Sequence, residues 1–513
     1  MGEDEISVSE RILIIDCGSQ LTQNIARRVR EKNVFCEIIP YKKINTYDFS
    51  STKGIIISGG PMSVHDENSP KVTSDIFEKK IPVLGICYGM QLTSFLLGGN
   101  VEKQEKREYG KTTIDVEKES RLFKGIKDSF TAWMSHGDAL EKVPEGFEII
   151  ARSNTHLASI ENREKDIYAV QFHPESDHTE NGRLILENFL NICSCSRDWK
   201  MSSFIEEEIG KIKDVVKDRV VIGGVSGGVD STTASVLLAK ALGKRFIPIF
   251  INNGLLRKDE EKEVRHSFEK RGINLDYVDA SEEFLSKLKG IADPEEKRKI
   301  IGHTFIEVFE REAKKMDADF LMQGTLYPDV VESVPVYGSS DKIKSHHNVG
   351  GLPEKLGLKL IEPFRMLFKD EVRKIAEELD LPKELYGRHP FPGPGLAVRI
   401  IGEIDEEKLS ILRKADSIFI EELRKNNIYD DIWQALAALL PLRSVGVMGD
   451  KKSYEYIAAL RAVTSRDGMT ADWYRMDQDM LGVISNRIMN EVKGINRVLY
   501  DVSSKPPATI EYE

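Results

Sequence analysis

Short apolar runs, each closed by small residues, recur through the first 190 positions and alternate with stretches of helical period. Residues 11–16 (Arg-Ile-Leu-Ile-Ile-Asp) form one such run ahead of Cys17-Gly18. Lacking apolar/polar alternation, they predict a strand buried on both faces. Leu21, Ile25 and Val29 then fall on one stripe of a helix over 20–32. Further runs at 54–58 and 81–86 are closed by Gly59-Gly60-Pro61 and by Cys87, and a helical stretch over 90–97 follows. Strands alternating with helices predict a doubly wound domain with its chemistry at the carboxyl ends of the strands. The pattern loosens at 193–200, and a charged helix over 203–217 leads into a new strand at 220–222. A second unit of the same kind is expected from there, with strands at 245–251 and 319–323 and a helix over 369–379. The cluster His389-Pro390-Phe391-Pro392-Gly393-Pro394-Gly395 ends it, because proline and glycine together break regular structure. Beyond lie a helix over 405–425 and a strand over 496–502, while 435–448 fits either a buried helix or a strand. The expected fold class is α/β: two doubly wound parallel-sheet domains, 10–196 and 197–388, then a smaller α+β domain over 389–513.

Composition narrows this picture. At 513 residues the chain has room for several domains of roughly 150 residues each. Its 73 Lys and Arg against 84 Asp and Glu give a net charge of −11. That excludes a binder working by broad phosphate neutralisation but leaves room for a local cationic pocket. No apolar run reaches the length of about 18 residues needed to span a membrane. The acidic N-terminus lacks the basic-then-apolar order of a secretion signal. Five cysteines, an odd number clustered in the first two-fifths, point to a reducing, cytoplasmic setting. Cys193-Ser194-Cys195 could be half a metal site, but no second pair of ligand spacing lies nearby.

Gly85-Ile86-Cys87-Tyr88-Gly89 stands between an apolar strand and a helix, in the form of an elbow that exposes its middle side chain. A thiol there meets the positive end of the helix dipole, which suits an anionic sulfur. His173 and Glu175 are two positions apart around Pro174, so in an extended segment both point to one side. An imidazole oriented by a carboxylate and facing a thiol is the logic of an activated nucleophile. Glycine-rich backbone at Gly59-Gly60-Pro61 can present N–H groups to a developing oxyanion. Singly, these pieces fit a buried cysteine beside a turn and a surface loop; together, each after an apolar strand, they favour chemistry. With Ser135-His136-Gly137-Asp138 and Gln171-Phe172-His173-Pro174-Glu175, the set resembles class I glutamine amidotransferases. The resemblance implies that Cys87 attacks the glutamine amide, His173 acts as general base and then acid, and Glu175 orients it. It further implies an oxyanion hole from the N–H groups of Gly60 and Tyr88, with His136 and Asp138 near the glutamine. Ser176 departs from the aliphatic residue usual in relatives.

Ser226-Gly227-Gly228-Val229-Asp230-Ser231-Thr232 follows an apolar strand and opens an apolar helix. Glycines let backbone N–H groups close on phosphate oxygens, and the helix adds its dipole. The loop lacks the Gly-Lys-Ser/Thr ending of a kinase-type phosphate loop, so transfer of a terminal phosphoryl group is not the natural reading. Asp230 makes sense there if Mg²⁺ is held with the nucleotide. This loop resembles that of N-type ATP pyrophosphatases, which cleave ATP between its α- and β-phosphates and so imply adenylylation of a substrate oxygen. Asp293-Pro294-Glu295-Glu296-Lys297-Arg298, Ile343-Lys344-Ser345-His346-His347-Asn348 and Ser504-Lys505-Pro506-Pro507-Ala508-Thr509-Ile510-Glu511, among other stretches, extend the resemblance to the glutamine-hydrolysing GMP synthases.

That resemblance implies glutamine, ATP and XMP as substrates, Mg²⁺ with ATP, and no organic cofactor, nucleic acid or membrane. The three expected domains become amidotransferase, ATP pyrophosphatase and dimerisation domain of a homodimer. Arg298, Lys505 and Glu511 would hold XMP, the cations suiting its phosphate. Lys344, His346 and His347, with Asp329 and Glu332 beside them, would form a lid. Asn252 departs from the family's usual aspartate. The alternative, a pyrophosphate-loop tRNA-modifying enzyme, expects a basic patch and a redox cysteine pair in the ATP domain, yet 196–513 contains no cysteine.

Overall fold

The computed structural model describes residues 10–332, 357–448, 451–465, 468 and 470–513. Lys344, His346 and His347 lie outside them. The described residues fall into two compact units, one of 10–203 with 328–332, the other of 204–327 with 357–513.

The first unit carries one nine-stranded sheet. Its strands are β1 Arg11–Asp16, β2 Cys36–Pro40, β3 Thr52–Ile57, β4 Val83–Ile86, β5 Asn100–Val116, β6 Ser129–Lys142, β7 Glu148–Ser153, β8 Leu157–Asn162 and β9 Ile167–Val170. The spatial order is β2-β1-β3-β4-β9-β8-β7-β5-β6. From β2 to β9 all pairings are parallel, as the continuous apolar runs predict. From β9 to β6 they are antiparallel, an extension the sequence reading did not anticipate. Its signal is alternation: Phe130, Ala132, Met134 and His136 of β6 point inward while their neighbours face outward, the mark of a sheet wetted on one side. Helices α1 Thr22–Arg30 and α2 Tyr88–Leu96 pack on the parallel part, and α3 Gly182–Ile192 packs against α1.

After α4 (Met201–Val216), the second unit holds two sheets. In the first, β10 Val221–Val225, β11 Phe246–Asn252, β12 Asp276–Asp279, β13 Phe320–Met322 and β14 Lys359–Ile361 are all parallel, in the order β12-β11-β10-β13-β14. The order reverses between β10 and β13, which places a ligand crevice at their carboxyl ends. Helix α5 (Val229–Leu242) starts there. In the second sheet, β15 Gln434–Met448, β16 Lys451–Thr464 and β17 Asp472–Trp473 run antiparallel and β18 Ile495–Tyr500 pairs parallel with β16. Residues 435–448 are therefore strand. Ala435 to Leu439 are buried on both faces, which erased the period-2 signal, and the register slips at Leu440/Arg443 around Pro441. One apolar core runs through both sheets, from Ile222 and Ile249 to Leu439, Leu460 and Ile488. Among the described residues no helix is long and apolar enough to cross a membrane.

Candidate active site

Cys87 sits between β4 and α2 at φ +52°, ψ −106°, a conformation that strains a side chain and turns it out of the strand. Its N–H is held by the Val170 carbonyl at 2.8 Å. The flanking glycines are required by space. A Cβ on Gly85 would lie 2.6 Å from the Gly89 carbonyl oxygen, and one on Gly89 only 2.2 Å from that of Ile57. His173 follows β9, anchored by its N–H to the Trp133 carbonyl (3.0 Å) and by Thr179 Oγ1 donating to its own carbonyl (2.7 Å). Its Nδ1 meets Glu175 Oε1 at 2.8 Å. The pair closes across a turn, with Ser176 N–H donating to the His173 carbonyl, rather than along the extended segment expected. Burial works against a charged imidazole here. Glu175 and Cys87 nonetheless hold the His173 pKa well above its ordinary value, each by charge and by hydrogen bonding.

Gly59 and Gly60 approach the same place: a Cβ on Gly59 would lie 3.3 Å from His173 Cε1, and one on Gly60 3.3 Å from the Tyr88 ring. The thiol also contacts the Ser135 carbonyl and Gln171 Nε2, each at 3.7 Å. Gln91 Nε2 donates to the Asp138 carbonyl (2.8 Å). His136, buried, spans the Asp138 carbonyl (2.9 Å) and Glu108 Oε2 (3.2 Å). Burial of Glu108 would raise its pKa, but hydrogen bonds from His136, Thr155 and Ser153 win and bring it down to about 2. Asp138 Oδ2 is buried without a hydrogen bond.

In the second unit, Gly227 at φ +76° bends the loop after β10, and Gly228 caps α5. Ser231 Oγ accepts the Ser226 N–H (3.1 Å), which folds the loop on itself around the helix N-terminus. Asp230 Oδ2 pairs with Lys369 Nζ at 3.1 Å, while Asp230 Oδ1 and Thr232 Oγ1 are buried without hydrogen bonds. Oxygen donors left over beside a phosphate cradle fit a hard cation such as Mg²⁺, bound jointly with phosphates. Asn252 has its own work: Nδ2 donates to Glu261 Oε2 (2.9 Å) and to the Tyr277 hydroxyl (3.1 Å), and Oδ1 accepts the Gly254 N–H (3.0 Å). An aspartate there would face Glu261 with a second negative charge.

The segment ending at Glu513 is tied down by buried cations. Arg399 grips Glu511 with two bonds, Nε to Oε2 at 3.0 Å and Nη2 to Oε1 at 2.9 Å. Arg461 donates to the carbonyls of Ser503, Thr509 and Ile510, all at 2.9 Å. Lys297, fully buried, bonds the Ile400 carbonyl (2.8 Å) and the Glu513 carboxylate, and Arg298 donates to the Glu513 main-chain oxygen (2.5 Å). Lys505 Nζ donates to the Gly468 carbonyl (2.8 Å).

Comparison with known proteins decides the family. Residues 13–193 match the model of class I glutamine amidotransferases, and 421–512 that of the GMP synthase C-terminal domain. A GMP synthase (glutamine-hydrolyzing) of Brachyspira hyodysenteriae is 58% identical over 509 residues, covering 98% of this chain and 99% of its own. That of Aquifex aeolicus is 56% identical over 512 residues, with the same coverage. The chain belongs to the glutamine-hydrolysing GMP synthase family.

Within that family's frame, the structure brings Cys87, His173 and Glu175 together, with Gly60 and Tyr88 beside them. It gathers Ser226 to Thr232 into one loop. Arg298, on the helix Pro294–Ala313, reaches the final segment that carries Glu511, whereas Lys505 is held separately against Gly468 and Ala471. Asp329 and Glu332 lie on the short helix Tyr327–Glu332. Sequence reasoning missed Glu108, Lys369, Lys297, Arg399 and Arg461. The last two had a signal: an arginine inside an apolar run, as in Leu460-Arg461-Ala462-Val463, is either an error of reading or a buried anchor. The relatives give the tRNA-modifying alternative no support.

Proposed function

We propose that this chain makes GMP from XMP, taking nitrogen from glutamine and activation from ATP, with the two chemistries in separate units. In the first, Cys87 Sγ attacks the glutamine side-chain carbonyl and His173 delivers a proton to the departing ammonia. Water, deprotonated by the same ring, then releases glutamate from the thioester. Glu175 keeps Nδ1 occupied so that the other ring nitrogen serves the sulfur. The N–H groups of Gly60 and Tyr88 take the developing oxyanion. The elbow conformation of Cys87 is the observation that carries this reading.

In the second unit, Ser226 to Thr232 cradle the ATP phosphates. Lys369 supplies the cation that the loop itself lacks. Asp230 is the residue suited to hold Mg²⁺, which would offset phosphate charge when bound with the nucleotide. Adenylylation of the XMP O2 with loss of pyrophosphate prepares C2 for ammonia, and AMP leaves. Arg298, Lys505 and Glu511 serve XMP, and Asp329, Glu332, Lys344, His346 and His347 form a lid over the reacting groups. We assign 10–196, 197–388 and 389–513 to the amidotransferase, ATP pyrophosphatase and dimerisation functions. The second sheet of the C-terminal part exposes Leu442 (60%), Val445 (52%), Val447 (75%) and Tyr454 (64%), which supports a homodimer joined there. Five cysteines that form no disulfide with one another fit a cytoplasmic location.

The test is nitrogen source. Cys87→Ala is expected to lose glutamine-dependent GMP formation while keeping synthesis with added ammonium salt, and Asp230→Ala to lose both. A folded Cys87→Ala protein inactive with either source would contradict the division.

A further inference from the structure

A line of buried carboxylates and arginines, linked in part through main chain, joins the phosphate loop of the second unit to the final segment. Gly227 lies against Glu260: a Cβ on that glycine would sit 3.5 Å from Glu260 Oε1. Glu260 is 7% exposed; its Oε1 lies 3.6 Å from Arg388 Nη1, and its Oε2 accepts the main-chain N–H of Arg257 at 3.1 Å. Arg257 Nε faces Asp416 Oδ2 at 3.3 Å. Asp416, 2% exposed on the helix Glu406–Lys425, turns its Oδ1 to Arg399 Nη1 at 3.6 Å and accepts the Ala437 N–H at 3.2 Å. Arg399 ends the line in its two-pronged grip on Glu511. The same helix clamps the stretch that bears Arg257, since Arg413 Nε donates to the Leu256 carbonyl at 3.0 Å.

The weak joints of this line lie at Asp416. Arg257 Nε and Arg399 Nη1 are both buried and neither makes a well-directed hydrogen bond, so the carboxylate holds two guanidinium groups by charge alone. Such a carboxylate can shift its hold from one cation to the other at little cost. Glu511, in contrast, has both oxygens engaged, one by Arg399 and the other by Arg399 and Gln434. With three of its roughly four acceptor sites taken, it has room for a second N–H of a purine base only as Arg399 loosens.

We propose that Asp416 is a positioning residue that couples the phosphate loop to Glu511, so that ATP and XMP each tighten the binding of the other. A polyanion on the loop attracts Arg257 away from Asp416. The freed carboxylate then engages Arg399 more fully, and Arg399 relaxes its grip on Glu511. By linkage, XMP must raise ATP affinity by the same factor. The inference rests on the assignment of the loop to ATP and of Glu511 to XMP.

The experiment is equilibrium binding of XMP to the full chain with and without α,β-methylene-ATP, which cannot be cleaved between its α- and β-phosphates. In the parent, the analogue is expected to lower the XMP Kd roughly tenfold. Asp416→Asn keeps the shape and the acceptor for Ala437 but removes the charge. It should still bind XMP alone while the effect of the analogue falls to nearly none. Arg257→Gln, at a partly exposed position, removes the cation, should show the same loss and serves if the first variant does not fold. An undiminished effect in either folded variant, or a parent that binds XMP without any effect of the analogue, overturns the coupling. A parent that does not bind XMP at all overturns the substrate assignment beneath it.

Discussion

Cys87 holds a backbone angle that suits glycine, and its neighbours show why the strain persists: Gly85 and Gly89 admit carbonyl oxygens where any Cβ would collide. The elbow was therefore legible in the spacing of two glycines about a cysteine. What the spacing could not give was the turn that brings His173 back to Glu175, because that turn depends on Thr179 and on Trp133 of β6. The charge state of His173 yields a prediction at this scale. Burial opposes its proton, and the charge of Glu175 leads the influences that hold it, followed by Cys87 and by the hydrogen bond to Glu175. Glu175→Gln should lower glutaminase kcat/KM by about 10²- to 10⁴-fold. It should also move the alkaline limb of the pH profile to lower pH, because the ring then loses its proton earlier. A limb at unchanged pH would show that Glu175 does not set the state of His173.

Among elements, the parallel strands and the helices after them were readable because each is apolar throughout or striped at helical period. The antiparallel flank and β15 were not, the first because its alternation is spread over long strands, the second because burial on both faces left no period. The local pattern of 389–395 marked a breaker, yet His389 pins β15. Its ring stacks on Tyr429 at 3.8 Å, its Nδ1 accepts the Ala435 N–H (3.1 Å) and its Nε2 meets the Tyr429 carbonyl (2.9 Å). Burial, with Arg257 and Arg424 nearby and despite the Tyr429 carbonyl, pushes its pKa down to about 4. The neutral ring is thus the folded form. Its stabilising contribution is complete above an unfolded pKa of about 6.5 and is lost as pH falls toward the folded value. The melting temperature of the parent should therefore exceed that of His389→Gln by less at about pH 5 than at about pH 7.5. A gap independent of pH would contradict this account.

At the scale of the whole molecule, the acidic balance argued against binding by broad phosphate neutralisation but said nothing of where cations gather. The structure gathers Lys297, Arg298, Arg399 and Arg461 around the segment that ends at Glu513. Three of these are fully buried or nearly so, and no composition predicts that placement. Oligomeric state was equally beyond composition. The exposed Val445 and Tyr454 stand opposite each other across β15 and β16. If this face joins two copies, Val445→Lys combined with Tyr454→Lys should convert a dimer to a monomer in light scattering at micromolar concentration. A species of unchanged mass would place the contact elsewhere. The claim on which the rest depends is that one chain couples glutamine hydrolysis to adenylylation of XMP. Its most direct test is product analysis after incubation with XMP, Mg·ATP and glutamine. GMP, AMP and pyrophosphate should appear in equal amounts, with at least as much glutamate. ADP with orthophosphate, or no guanine nucleotide, would contradict it.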